Sequence, residues 1–216
     1  MSIKPILFNT DMVRAILDGR KSCTRRIVKP QQLIGMLPDK CKNGIPEEFL
    51  KEKKFMFKPY CDMTDVELIS TAYQPPYQPG DILYVRETWG YPIALNSDKQ
   101  YIFRADEVAE SDFKNDSHIW HPSIHMPKEA ARIWLNVTNV RLERLQDVTG
   151  ESALAEGADK YIHTNGTLNE DQTITSFIGI WNSTIKKSDL GIYVWDANPW
   201  VWVIEFERCN KPKEEN

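Results

Sequence analysis

The apolar segments of this chain are short, and this limits its fold more than any other feature. Residues 200–207 are typical, because Trp202, Ile204 and Phe206 alternate with residues of the opposite face, as in a strand. No apolar run approaches the roughly 20 residues that a membrane span requires. Many short strands with a few helices predict an α+β protein built on a small mixed β-barrel with flanking helices. Periodicity alone does not decide which barrel this is.

The local signals divide the chain into predicted elements. Asn9 or Thr10 caps a first helix, and Gly19 ends it where a left-handed residue is usual. Thr149 or Ser152 stands near the start of a second helix. Asn139 is a predicted bend between two strands. The periodicity predicts strands at 6–8, 82–89, 101–104, 131–138, 140–145 and 200–207, and helices at 150–157 and 172–186.

Residues 31–79 have the character of an insertion. They contain six prolines and a charged stretch at 47–54. A long connection of this kind within a compact domain is usually functional. At 216 residues the chain has room for one elaborated domain or two small ones. We predict a single domain over 1–209 that carries this insertion, followed by a flexible tail at 210–216.

The charge pattern restricts the classes of partner. With 27 Lys and Arg against 31 Asp and Glu, the net charge is −4, which excludes a uniformly basic nucleic-acid binder. Residues 20–29 nevertheless contain five cations and no acid. Such a run in an acidic background favours a focused site for one nucleotide or a short segment. Arg25 and Arg26 must point to opposite faces of a strand, and we expect Arg26 to face the cleft.

Several motifs in order resemble a known family. Residues 15–26, AILDGRKSCTRR, are similar to the opening signature of ASCH domains, and three further pieces follow in the family's order at 80–85, 155–157 and 203–206. The fuller pattern resembles a group of phage- and prophage-encoded ASCH proteins. Its marks are RETW at 86–89, PSIHMP at 122–127 and WDANPW at 195–200.

The resemblance implies a PUA-like β-barrel that binds RNA or a nucleoside in a cleft beside the barrel. In the smallest bacterial members the activity is amide hydrolysis of N(4)-acetylcytidine, with a Lys-x-x-Thr pattern and a distant Glu. Carried over by position, that pattern falls on Lys21, Thr24 and Glu156. Other ASCH proteins are ribonucleases or simple RNA binders, so the resemblance does not imply one chemistry.

The three residues are chemically suited to catalysis. A threonine hydroxyl needs a base to accept its proton, and a lysine near other cations can serve if its pKa is lowered. Lys21 would then be the base for Thr24, with Glu156 positioning the lysine or passing a proton to the leaving amine. The alternative is that Thr24 is an ordinary strand residue and Lys21 contacts phosphate, which means binding without chemistry.

Arginine guanidinium groups bind phosphate and stack on bases, and tryptophans beside polar residues offer a stacking surface. Glu87 is either a second acid of the cleft or a partner for an arginine. Trp181 and Trp202 are expected in the core, whereas Trp195 and Trp200 stand beside polar or turn residues. The predicted ligand-binding residues are Arg20, Arg25, Arg26, Glu87, Trp89 and His125.

The sequence offers little support for metal or cofactor chemistry. His118, His121 and His125 lack a convincing fourth ligand, and Pro122 and Pro127 disrupt a regular helical face, so no metal is predicted. No Gly-rich phosphate loop is present, and no cofactor is predicted. The four cysteines contain no CxxC pair, which fits reduced thiols, and the N-terminus lacks a signal-like apolar run. We therefore expect a cytoplasmic protein.

The leading interpretation is a phage-derived ASCH protein that recognises a nucleic acid or a modified nucleoside or nucleotide, RNA being the expected polymer, with no membrane partner. The first alternative is an amidohydrolase acting on N(4)-acetylcytidine or a related acylated nucleoside. The second is a protein-interaction or inhibitor module whose acidic insertion contacts a host partner.

Overall fold

A computed structural model describes residues 1–28, 75–92, 100–106, 119–158 and 169–213. Most of the predicted insertion and the end of the predicted tail lie outside these residues. The seven described strands are β1 (Ile3–Leu7), β2 (Cys23–Ile27), β3 (Ile82–Arg86), β4 (Trp89–Gly90), β5 (Ile102–Phe103), β6 (Trp134–Arg144) and β7 (Trp200–Cys209). The described helices are α1 (Thr10–Leu17), α2 (Gly150–Ala155), α3 (Glu170–Thr184) and α4 (Leu190–Tyr193).

The main sheet has five strands in the order β1-β3-β6-β7-β2. Strands β1 and β3 are parallel, whereas β3 with β6 and β2 with β7 are antiparallel. The short strands β4 and β5 form a separate antiparallel pair. The predicted α+β class is confirmed as a mixed sheet with helices. Within the described residues this sheet is open, with β1 and β2 at its two ends, and it is not closed into a barrel.

The chain divides into two compact units, each assembled from separate segments. Unit 1 contains Met1–Ser22, Gly80–Val137 and Phe206–Asn216, and unit 2 contains Cys23–Pro79 and Thr138–Glu205. A core cluster of unit 1 consists of Ile82, Trp89, Met126, Ala130, Ala131 and Trp134. A core cluster of unit 2 consists of Leu145, Val148, Ala153, Ala158, Phe177, Trp181, Val201 and Val203. Burial of these side chains is the main favourable contribution to folding in each unit.

Local capping signals account for the helix boundaries. Asn9 caps α1 and accepts a hydrogen bond from the Met12 N–H, and Thr149 caps α2 in the same way through Ser152. The long helix α3 begins after Asn169, two residues before the predicted start, because Asn169 and Gln172 form a reciprocal capping box.

Three strand predictions need correction. β1 begins at Ile3 rather than at residue 6, since the strand lies at the end of the sheet and an edge position tolerates Pro5. The predicted strand 82–89 ends at Arg86, and Trp89 starts the separate strand β4. The two strands predicted on either side of Asn139 are one strand of 11 residues, and the Asn139 amide donates to Glu205 of β7 instead of forming a bend.

The family-like motif at 80–85 has a clear structural role within unit 1. Gly80 has φ +85° and turns the chain into β3. The buried carboxylate of Asp81 then accepts hydrogen bonds from the Ser2 hydroxyl at 2.7 Å and the Lys4 ammonium at 2.7 Å. These bonds hold β1 beside β3.

None of the helices among the described residues combines the length and the apolar composition that crossing a bilayer requires.

Candidate functional site

The predicted basic run enters strand β2, where side chains alternate between two faces. Arg25 takes the buried face, and its side chain is only 1% exposed. Arg26 takes the opposite face and is partly exposed. Burial lowers the pKa of the Arg26 guanidinium, and the nearby Tyr77 hydroxyl and Glu156 carboxylate act against that shift. The alternation expected from the sequence is therefore present, with Arg26 on the more accessible side.

Glu156 owes its position to the glycine that follows it. Helix α2 ends with Glu156 as its C-cap, and Gly157 adopts φ +79°. The Gly157 N–H donates to the Leu154 carbonyl at 2.7 Å, and the Ala158 N–H donates to the Ala153 carbonyl at 3.2 Å. This pair of bonds is a Schellman motif, which requires a left-handed residue at the glycine position. The motif at 155–157 thus ends helix α2 and positions the Glu156 carboxylate.

Arg25 and Glu156 are the predicted residues that the structure brings together most closely. The Arg25 Nη1 donates to Glu156 Oε1 at 2.6 Å, and the Arg25 backbone N–H donates to Glu156 Oε2 at 3.3 Å. The Arg25 Nη2 donates to the Ser152 hydroxyl at 2.7 Å and lies 3.5 Å from Glu143. The guanidinium carbon lies 5.5 Å from the centre of the Phe177 ring. We call Arg25, Glu143, Ser152, Glu156 and Phe177 the Arg25 cluster.

The remaining residues of the predicted catalytic and basic set have different surroundings. Thr24 is buried in β2, next to the backbone N–H that binds Glu156. Lys21 belongs to unit 1, is 4% exposed, and has its ammonium 5.6 Å from the centre of the Phe8 ring. Arg20 is exposed and pairs with Asp18 at 2.8 Å.

The motifs at 86–89 and 122–127 contact each other within unit 1. The Arg86 guanidinium donates to the backbone carbonyls of Ile124 and, at 2.8 Å, Met126. The Glu87 backbone N–H lies 3.2 Å from the Met126 sulfur. These contacts join residues 86–89 to the turn at 122–127. His125 lies on the exposed side of that turn.

Glu87 is fully buried, at 1% exposure, and its carboxylate faces Arg132. Arg132 donates through Nε to Glu87 Oε1 at 2.9 Å and through Nη2 to Glu87 Oε2 at 3.0 Å. Its Nη1 donates to both carboxylate oxygens of Asp106, at 2.7 and 2.9 Å. Its guanidinium carbon lies 4.1 Å from the centre of the Phe103 ring. We call Glu87, Phe103, Asp106 and Arg132 the Arg132 cluster.

In the Arg132 cluster, the positive charge of Arg132 and the negative charge of Glu87 each favour the ionised form of the other group. Burial raises the pKa of Glu87, and the hydrogen bond and charge of Arg132 act against that shift. Burial alone would lower the pKa of Arg132, but the hydrogen bonds and charges of Glu87 and Asp106 outweigh it and raise the pKa. Arg132 therefore stays cationic under any ordinary condition.

The Arg132 cluster lies at the edge of a cavity of about 570 Å³ in unit 1, which we call the Arg132 pocket. This volume is within the range of about 300–1,000 Å³ that is usual for small-molecule sites. The lining residues are Gln100, Tyr101, Ile102, Phe103, Asp106, Trp120, Glu129, Ala130, Ala131 and Arg132. The pocket thus combines three aromatic rings with amide, carboxylate and guanidinium groups.

Trp89 lies in a group of packed rings next to the pocket. Its ring centre is 4.9 Å from that of His121, 5.2 Å from Tyr91 and 5.6 Å from Tyr101. Trp89 itself is 5% exposed, and its indole N–H has no hydrogen-bond partner among the residues that the structure describes. Tyr101 both packs on Trp89 and lines the pocket, so Trp89 supports a pocket wall.

The motif at 195–200 forms a turn in unit 2. Asn198 has φ +44°, its backbone carbonyl accepts from Arg144 at 2.9 Å, and its side chain accepts from the Gln146 N–H. The Arg144 guanidinium lies 4.4 Å from the centre of the Trp200 ring. Trp200 is buried, as are Trp181 and Trp202, which the sequence places in the core.

Sequence reasoning missed the pocket residues Tyr101, Asp106, Trp120, Glu129 and Arg132. One signal for Arg132 was available, because it is a single cation inside the apolar segment 130–135. A cation in a buried strand needs a partner of opposite charge. Its partners lie 45 and 26 residues away along the chain, and no local pattern identifies them.

The described part of the chain contains no group of three or more His, Cys, Asp or Glu side chains arranged to hold a metal ion. His118 of the predicted histidine cluster lies outside the described residues.

Comparison of the chain with family models, curated proteins and solved structures finds no match.

Proposed function

We propose that this protein recognises a nucleic acid or a modified nucleoside and that a single base enters the Arg132 pocket. The observation that carries the proposal is the pocket itself, with its volume of about 570 Å³ and its aromatic lining. Bases stack on aromatic side chains whatever their identity, and each stacked base contributes about 1–3 kcal/mol. Gln100 and the carboxylates supply hydrogen-bonding groups that discriminate between base edges.

The charge distribution supports binding of a base more than binding of a phosphate backbone. In the Arg132 pocket the only lining cation within the described residues is Arg132, and two carboxylates already bind it. In unit 2 the Arg25 guanidinium is enclosed by the Arg25 cluster. Arg26 remains the partly exposed arginine of strand β2 and is the candidate for a phosphate contact.

The test is a binding titration with purified protein, following tryptophan fluorescence, against nucleosides and short single-stranded RNA. We expect saturable binding that Trp120→Leu weakens about tenfold or more, since it removes a stacking surface. Ile119→Ala is the matched control, because Ile119 is the exposed neighbour of Trp120, at 76%, and does not line the pocket. Absence of binding to every nucleoside and RNA would refute the proposal.

The proposed fold is the PUA-like barrel of ASCH domains. The mixed five-stranded sheet supports it, as do the family-like motifs, which end two helices at Gly19 and Gly157 and turn the chain at Gly80. A crystal structure of the full chain tests this proposal. Closure of the sheet into a barrel is the expected result, and an open sheet in the whole chain would count against it.

A second candidate function is amide hydrolysis of an acylated cytidine. It is favoured by one contact, in which the Glu156 carboxylate accepts the backbone N–H of Arg25, the residue after the predicted nucleophile Thr24. The test is turnover of N(4)-acetylcytidine, measured by release of cytidine. We expect loss of product with Thr24→Val and Lys21→Ala, while Lys187→Ala, an exposed cation outside the basic run, retains activity. Undiminished product from Thr24→Val would exclude this mechanism.

A further inference from the structure

The Arg132 pocket has more negative than positive groups. Asp106 and Glu129 line it together with Arg132, and Glu87 is buried behind the guanidinium. Three carboxyl groups therefore face one cation. All three nitrogens of the Arg132 guanidinium already donate to Glu87 or Asp106, so the cation is occupied by the protein itself. An anionic ligand would meet uncompensated negative charge here, and a cation would relieve it.

Glu129 is the carboxylate that remains available to a ligand. Glu129 is exposed on the short turn at Lys128–Ala130, and within the described residues its carboxylate makes no hydrogen bond or ion pair. Glu129 and Tyr101 both line the pocket, and partial burial, followed by the Glu129 charge, raises the pKa of the Tyr101 phenol. Tyr101 consequently stays neutral, and its ring and the Glu129 carboxylate line the same pocket.

Two of the aromatic rings that line the pocket already pack against arginine side chains of the protein. The guanidinium of Arg132 lies over Phe103, and the Arg104 guanidinium carbon lies 6.0 Å from the centre of the Trp120 ring. Aromatic faces attract cations because their π-electrons are negative, and the attraction strengthens when the cation is desolvated. Tyr101 is the third lining ring, and within the described residues it packs against the rings of Trp89 and Tyr91 rather than against a guanidinium. Tyr101 and Glu129 together offer an aromatic ring and a negative charge to a planar cation in this pocket.

We propose that the Arg132 pocket selects a positively charged nucleobase, one alkylated on a ring nitrogen, which stacks on Tyr101 and pairs with Glu129. This inference rests on the proposed function and names its ligand class. A ring-alkylated base is planar and cationic, as a guanidinium is, and so matches the cations that the neighbouring rings hold. Glu129 is the specificity-determining residue, because its negative charge favours a cationic base over a neutral one.

Pairs of isomeric nucleosides allow the effect of ligand charge on affinity to be measured while ligand size stays the same. 1-Methyladenosine is cationic at neutral pH and N6-methyladenosine is its neutral isomer, and 3-methylcytidine and 5-methylcytidine form a second pair. Titration of the purified full chain at low salt should give about tenfold tighter binding of the cationic isomer in each pair. Glu129→Gln should reduce that preference to about twofold or less, chiefly by weakening the binding of the cationic isomer. The control is Glu151→Gln, an exposed glutamate of unit 2 that does not line the pocket.

The outcomes distinguish this inference from the function on which it rests. Equal affinity for the two isomers, or tighter binding of the neutral one, overturns charge selection and leaves nucleoside recognition intact. A cation preference that survives in Glu129→Gln overturns the role of Glu129. Failure of every nucleoside to bind overturns both proposals.

Discussion

Arg25 in unit 2 and Arg132 in unit 1 are surrounded by the same kinds of side chain. Each guanidinium contacts two carboxylates, Glu156 and Glu143 for Arg25 and Glu87 and Asp106 for Arg132. Each also lies over a phenylalanine ring. They differ in exposure, since the Arg25 side chain is 1% exposed and the Arg132 side chain is 27% exposed.

This difference separates a structural role from a binding role. The enclosed Arg25 cluster offers a ligand little surface, and its contacts fix the end of helix α2 against strand β2. The Arg132 cluster uses the same contacts to hold Asp106 and Phe103 at the edge of a cavity. Substitutions in the two clusters should therefore differ in the balance between lost stability and lost binding.

The largest expected effect is that of Arg25→Met on the free energy of unfolding. Removing the guanidinium breaks the ion pair between Arg25 and the Glu156 carboxylate, whose side chain is 9% exposed. Breaking a buried pair in this way costs about 3–5 kcal/mol. Urea denaturation of the variant and the parent protein measures the loss.

Two control variants show whether that loss of stability comes from the buried ion pair. The double variant Arg25→Met/Glu156→Leu should recover much of the lost stability, because it replaces both charges with apolar side chains. Arg20→Met should cost at most about 1 kcal/mol, because the Arg20–Asp18 pair is exposed. A cost of Arg25→Met as small as that of Arg20→Met would show that the Arg25 cluster does not stabilise unit 2.

Arg132→Gln should have a smaller effect that depends on pH. The substitution removes the two contributions that lower the pKa of Glu87, so that burial raises this pKa further above its value of about 4.3 in an unfolded chain. The native state then binds a proton more tightly than the unfolded state does. Stability is therefore highest below the unfolded pKa and falls as pH rises through the window between the two values.

We expect Arg132→Gln to lose about 1–3 kcal/mol at neutral pH relative to acid conditions, measured by urea denaturation from about pH 4 to about pH 8. The double variant Arg132→Gln/Glu87→Gln carries no ionisable group at position 87 and should lack this slope. Parallel pH profiles for the single and double variants would mean that Glu87 is not the titrating group.

The features that sequence predicted well are those encoded within a few residues. The caps at Asn9 and Thr149 and the left-handed Gly19 each depend on backbone groups of their own helix. Local chemistry is sufficient for such features. The strand alternation of Arg25 and Arg26 is of the same kind, because it follows from the period of a strand.

Features set by distant partners were not predicted. Asparagine is common in turns, but β6 continues through Asn139, whose side-chain amide donates to Glu205, 66 residues away. The enclosure of Arg25 depends on Glu156, 131 residues away, and the pocket on segments that meet only in the folded unit. No periodicity in the sequence contains this information, and the basic run therefore appeared more accessible to a ligand than it is.

Gly157→Ala should have the smallest effect on the free energy of unfolding. It tests how far the left-handed backbone at Gly157 contributes to the stability of the Arg25 cluster. Gly19 and Gly157 both end helices in the left-handed region, at φ +74° and +79°. An alanine at Gly19 meets no atom within 4 Å, so Gly19→Ala measures the backbone cost alone, about 1 kcal/mol. Gly157→Ala adds the displacement of the adjacent Glu156 and should cost about 1–2 kcal/mol. In an Arg25→Met background that excess over Gly19→Ala should disappear, and an excess that persists would show that Gly157 acts independently of the Arg25 cluster.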